Sequence, residues 1–132
     1  MIQFASQGFK YGESVNHILA RQIVELWLQA KGRTIHKDTV FHYPEEFIQQ
    51  HKLKKFPGHS YDILTNKEII EIDGMDTRHS KKNQIINDGI AEDYARKHLS
   101  PYNFYRLKKE EIVNERGHIQ PSCATYLEDN LF

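Results

Sequence analysis

Cysteine is almost missing from this chain of 132 residues; Cys123 stands alone, which excludes an internal disulfide and a cysteine-built zinc cluster. No apolar run reaches the length of a membrane span or a signal-peptide core, so the expectation is an intracellular protein with no membrane partner. Net charge is missing as well. Eighteen basic and eighteen acidic side chains cancel, so no global field draws the chain toward nucleic acid or an anionic surface, and any such contact must come from a local patch. Internal repeats and low-complexity tracts are also absent. Eight histidines are present, but they are scattered without the paired spacing of a zinc site. A chain of this length predicts one domain, residues 1–132, with a core over about 10–113 and a C-terminal extension over 114–132.

Residues 14 to 31 carry Val15, Ile18, Leu19, Ile23, Leu26 and Ala30 at helical spacing, with Ser14 as N-cap and Lys31-Gly32 as the stop. From Arg33 to Tyr43 the Thr, Val, Phe and Tyr content predicts a strand that Pro44 closes. Residues 45 to 58 predict a short helix and a loop ending Phe56-Pro57-Gly58. Two hairpin strands follow, near 60–64 and 68–73, and then a helix over 80–98 with Ile86, Ile90 and Tyr94 on one stripe. Beyond Pro101 come a strand over 102–107 and a short charged helix over 108–113. The tail ends on Tyr126, Leu127, Leu131 and Phe132, which suits a docked final helix or a partner-binding segment. This order predicts an α/β fold, a mixed sheet flanked by helices.

The chemistry concentrates in residues 61 to 76, where Asp62 ends one apolar segment and Glu71 and Asp73 alternate along the next. A turn at Thr65-Asn66-Lys67 brings Asp62 beside the second strand, and the period of two places Glu71 and Asp73 on one face. Three carboxylates on an apolar sheet repel one another and are costly to desolvate. A divalent cation would neutralise them, and hard oxygen ligands point to Mg2+ or Mn2+. The alternative is that solvent-facing acids merely alternate with core Ile69, Ile70 and Ile72 on an edge strand.

With these elements in place, the chain resembles the PD-(D/E)XK nuclease superfamily, whose restriction-endonuclease-like core is a helix, a three-stranded antiparallel meander, a helix and a further strand. The resemblance covers roughly residues 10 to 113. It is closer to the very-short-patch-repair-like branch, on Asp62, Glu71-Ile72-Asp73-Gly74, His79, the helix containing Asp88, and Tyr105-Arg106-Leu107. The resemblance implies hydrolysis of phosphodiester bonds by a metal-activated water, with Asp62 and Glu71 as ligands of Mg2+ or Mn2+ and the Ile72 carbonyl as a third. Glu13, near the start of the first helix, matches an additional acid that touches the metal through water; its plain alternative is an acid complementing the helix dipole. The superfamily motif ends in Lys where this chain has Asp73, although an acid there is usual in the short-patch-repair-like branch. His79 is the expected proton donor or phosphate ligand, ahead of Lys81 and Lys82.

The densest basic patch, Lys52, Lys54 and Lys55, immediately precedes the acidic segment, and it reads either as a solvated loop or as a phosphate-backbone contact joined by Lys81 and Lys82. No base-reading element is evident. Tyr61, Phe104 and Tyr105 read as core, and His17, four residues after Glu13, reads as its solvated partner. The first functional expectation is a metal-dependent nuclease, a DNA endonuclease that is nucleoid-associated if it acts on DNA. The rival is a catalytically silent nuclease-fold domain that binds nucleic acid or a protein partner. A third expectation is a subunit whose catalytic basic residue comes from a partner. Homodimerisation or a partner protein would engage the C-terminal tail.

Overall fold

The computed structural model describes residues 15–37, 39–53, 58–73 and 81–132, without the side chains of 81–85. Helix α1, Val15–Ala30, ends where Gly32 takes φ +94°. Its final carbonyls are capped by Gly32 N–H on Gln29 and Arg33 N–H on Leu28, a glycine-dependent stop. Of the residues that set the helical spacing, Ile18 is fully buried but several others face solvent. Ile18, Ala20, Val24 and Leu28 are fully buried, whereas Val15, Leu19 and Leu26 are exposed. Two charged residues, Arg21 and Glu25, complete the buried stripe and pair with each other at 3.3 Å.

The strand expected over 33–43 is nearly absent. Among the described residues of this segment only β1, Phe41–His42, is a strand, and it pairs with β2, Gly58–His59, in a separate two-stranded sheet. Strand propensity describes a pleated half-buried surface but does not supply a partner. The start of this segment is held instead by side chains: the Arg33 guanidinium bonds the Glu68 carboxylate and the Leu131 carbonyl. His36 N–H to Leu64 carbonyl, 2.8 Å, ties its middle to the larger sheet. At the small sheet the chains approach so closely that a Cβ on Gly58 would meet the Phe41 carbonyl oxygen at 2.6 Å. Between β1 and β2 lies helix α2, Glu45–His51.

The larger sheet has the order β3-β4-β5, from Ile63–Leu64, Glu68–Asp73 and Asn103–Lys108. Strands β3 and β4 form an antiparallel hairpin, and β5 returns parallel to β4 after helix α3, Lys81–His98. Thr65 turns the hairpin, its hydroxyl accepting the N–H groups of Lys67 and Glu68. Strand β4 is therefore central, and its residues from Glu68 to Ile72 are all buried, so Glu71 is not a solvent-facing acid on an edge strand, while Asp73 stays partly exposed. Ile70 and Ile72 pack with Val24 and Leu28 of α1. Ile69 packs on the other side with Ala91 and Ala95 of α3. Each such fully buried isoleucine contributes roughly 1.5–3 kcal/mol of burial. Ile86, assigned to the apolar stripe of this helix, is half exposed; Tyr94 of the same stripe is buried with Tyr43 and Phe47.

Helix α4, Lys109–Ile112, follows β5 directly, and helix α5, Pro121–Leu131, closes the described chain. Cys123, Leu127 and Leu131 of α5 share the α1 side of the core, so the tail is a docked helix. The result is mixed α/β, with two small sheets flanked by helices. Among the described residues no helix is long and apolar enough to cross a membrane.

Candidate active site

The hairpin ladder pairs Ile63 with Ile70 and Leu64 with Ile69. One step further along the same register stand Asp62 and Glu71, and there side chains take over from backbone. Glu71 Oε1 accepts the Asp62 backbone N–H at 2.7 Å, and Asp62 Oδ2 accepts the Ile72 backbone N–H at 2.7 Å. Each carboxylate thus fixes the other's strand. Glu71 is only 7% exposed. Its carboxyl is held above the ordinary glutamate range, first by burial and next by the charge of Asp62, while hydrogen bonding from His59 pulls the other way.

Two histidines from different elements meet this pair. His59 of β2 places Nε2 3.1 Å from Glu71 Oε2. His17 of α1 places Nε2 3.1 Å from the Ile72 carbonyl oxygen and 3.4 Å from Asp62 Oδ2. Since a carbonyl can only accept, Nε2 carries the proton in that contact. His17 therefore marks the point on which the Asp62 carboxylate and the Ile72 carbonyl converge. Glu13, the partner read from sequence, lies outside the described residues; among them His17 makes a partly buried contact 55 residues away in the chain. No pattern in the sequence could reveal it, because it depends on how α1 lies across β4.

Asp73 lies on the same face of β4 as Glu71 by strand alternation, but its charge is met separately. Arg106, its neighbour's partner on β5, places Nη1 2.5 Å from Asp73 and Nη2 2.8 Å from Glu92 of α3. Burial acts to raise the Glu92 carboxyl, but hydrogen bonds from Arg96 and Arg106 outweigh it and hold it below the ordinary range. The expectation of three carboxylates sharing one cation is corrected to a pair, Asp62 with Glu71, and a third acid already neutralised by arginine. Among the described residues, no group of three or more His, Cys, Asp or Glu side chains is disposed to hold a metal ion.

A cleft of about 170 Å³ opens beside the pair, with His59 common to both. Its apolar wall is Tyr43, Leu53 and Ile90, and its polar rim is Asn87 and Asp88 of α3. Burial holds the Asp88 carboxyl above the ordinary aspartate range, against the nearby charge of Arg106. The Tyr43 hydroxyl is pushed up to about 12, chiefly by burial and then by the negative charge of Glu71, so it stays protonated. The sequence reading placed Asp88 only as part of a helix and did not assign it to a site.

Of the other residues expected at the site, Glu13, His79, Lys54 and Lys55 lie outside the described residues. Lys81 and Lys82 open α3, and their side chains are likewise outside the described set. Lys52 ends α2 in the left-handed conformation, φ 55°, with its side chain exposed, next to Leu53 of the cleft. No family model, no curated protein and no solved structure matches this chain.

Proposed function

We propose that this chain is a metal-dependent nuclease with a restriction-endonuclease-like core, hydrolysing phosphodiester bonds of DNA. One observation carries the reading: the carboxylates of buried Glu71 and half-buried Asp62 stand side by side in the central hairpin, and His17 contacts both Asp62 and a main-chain carbonyl, that of Ile72. Like charges at this separation are costly in a low-dielectric interior, and neutral N–H donors only partly offset them. The arrangement of β3, β4, α3 and β5 supports the same core, since a hairpin followed by a helix and a parallel strand is its second half. Among the described residues the expected first strand of the meander is not in this sheet.

The donor chemistry fits Mg2+ or Mn2+: two carboxylates and a carbonyl are hard oxygen ligands, and Asp62 and Glu71 would hold the ion with the Ile72 carbonyl. When bound, such an ion supplies charge stabilisation at phosphate oxygens and a more acidic water. The chain's own residues set the stage for that chemistry. The crossed backbone bonds lock both carboxylates in place. His59 holds the outer oxygen of Glu71, and His17 steadies the Ile72 carbonyl. Arg106 keeps Asp73 from adding a third uncompensated charge.

The test is incubation of supercoiled, single-stranded and branched DNA with the protein, with and without Mg2+ or Mn2+, alongside Asp62→Ala and Glu71→Ala. Cleavage that needs the metal and both acids is the expected result; DNA bound but never cut favours the second reading. That second reading is a catalytically silent binding domain. It is favoured by the engagement of Arg106 on both sides by Asp73 and Glu92, so that among the described residues no lysine or arginine is paired with Asp62 or Glu71.

A further inference from the structure

We propose that the cleft beside Glu71 is a pocket for a single unpaired nucleobase, and that it prefers guanine. This deepens the nuclease reading and rests on it. The first argument is size. At about 170 Å³ the open cleft has room for one base, being a little larger than the roughly 150 Å³ cavities that admit a benzene ring.

The second argument is charge. Asp88 lines the cleft, Glu71 lies behind His59, and Asp62 and Asp73 add to the negative field felt by Asp88. A phosphate would be repelled, whereas a neutral ring bearing N–H donors is welcome. The third argument is chemistry of the lining. Tyr43, Leu53 and Ile90 form an apolar wall on which a ring can lie, as splayed bases do on aromatic side chains. On the rim, neither the Asn87 amide nor the Asp88 carboxyl takes a hydrogen bond or an ion pair among the described residues, although both are partly buried. At the mouth of the cleft both can exchange water for a ligand's donors and acceptors.

A carboxylate accepts best from two adjacent N–H groups. Among the four bases, guanine presents such a pair on its Watson–Crick edge, with a carbonyl beside it for the Asn87 amide. A base seated there would leave its own backbone on the side of His59 and Glu71. The pocket thus accounts for which strand is held and where: an extruded or single-stranded guanine, with the adjoining phosphodiester at the acidic pair.

The experiment uses the whole chain and fluorescently labelled thymidine tracts that carry one central dG, dA or dC. Anisotropy in EDTA gives binding without cleavage, and a second series with Mn2+ gives cut positions. The expected result is binding of the dG strand about tenfold tighter than of the dA or dC strand, the size of one good bidentate contact, with cuts next to the dG. Asp88→Asn and Asn87→Ala, each checked for native circular dichroism, bring that ratio toward one. Equal binding of all strands by the wild type, as expected if the cleft takes an arginine side chain of a protein partner, overturns the pocket. So does a ratio that survives Asp88→Asn. If metal-dependent cutting persists in either case, only the pocket falls; if no strand is bound or cut, the nuclease reading falls with it.

Discussion

Strand β4 carries two buried glutamates three residues apart, and they are satisfied in opposite ways. Glu68, 2% exposed, is gripped by both nitrogens of the Arg33 fork at 2.8 and 3.0 Å and by the Thr65 hydroxyl. Glu71, 7% exposed, has a second carboxylate at its side, a backbone N–H and an imidazole. The first carries its own cation, tied further to the C-terminal helix through Leu131. The second has no permanent one. A buried acid with a bidentate arginine is a clamp, whereas a buried acid beside another acid is a place where a mobile cation, if one binds, has something to do.

The sharpest way to break this contrast is Arg33→Ala. It strands Glu68 in the core, and stability measured by urea unfolding falls by about 3–5 kcal/mol. A loss under about 1 kcal/mol would mean that Glu68 finds water and the clamp is incidental. Next in size is the response to metal. Mg2+ or Mn2+ at a hundred times its dissociation constant stabilises the wild type by about 2.7 kcal/mol in thermal unfolding. The same titration leaves Asp62→Asn and Glu71→Gln unmoved, and a full response in both variants would place the ion elsewhere. His17→Ala removes the donor to the Ile72 carbonyl and costs about 1 kcal/mol; no change in stability would show that water replaces the imidazole without loss.

The smallest effect has the opposite sign. Burial raises the Glu71 carboxyl above its unfolded value, so its stabilising contribution is present at low pH and lost as pH rises through the folded value. In EDTA at neutral pH, Glu71→Gln therefore melts a few degrees above the wild type, and the gap closes as pH falls toward about 4.3. A variant that melts lower at neutral pH would show that the two hydrogen bonds of the carboxylate outweigh its desolvation. The corresponding change at Glu68, where the arginine is lost as a partner, lowers stability at neutral pH.

Period and punctuation made most elements legible. Alternation located β4, the Gly32 stop ended α1 near its place, and Pro101 separated α3 from β5. The Asp62–Glu71 juxtaposition was legible too, because a short hairpin turn sets register. What escaped was everything set by long-range packing. Thr, Val and aromatic content made 33–43 look like a strand, but pairing needs a partner, and the segment is tethered by Arg33 instead. Arg21 and Glu25 look like surface residues and are buried against each other. His17 and Asp88 reach the site from two helices far apart in the chain, so no local pattern marks them.

The crossed bonds of Asp62 and Glu71 have one more consequence. They are rungs that extend the β3–β4 ladder past its last backbone pair, and the amides they hold, at Asp62 and Ile72, are protected by carboxylates rather than carbonyls. Deuterium uptake at these two amides is therefore a clock on the site itself, running slowly while both oxygens stay seated and quickening when either is called away.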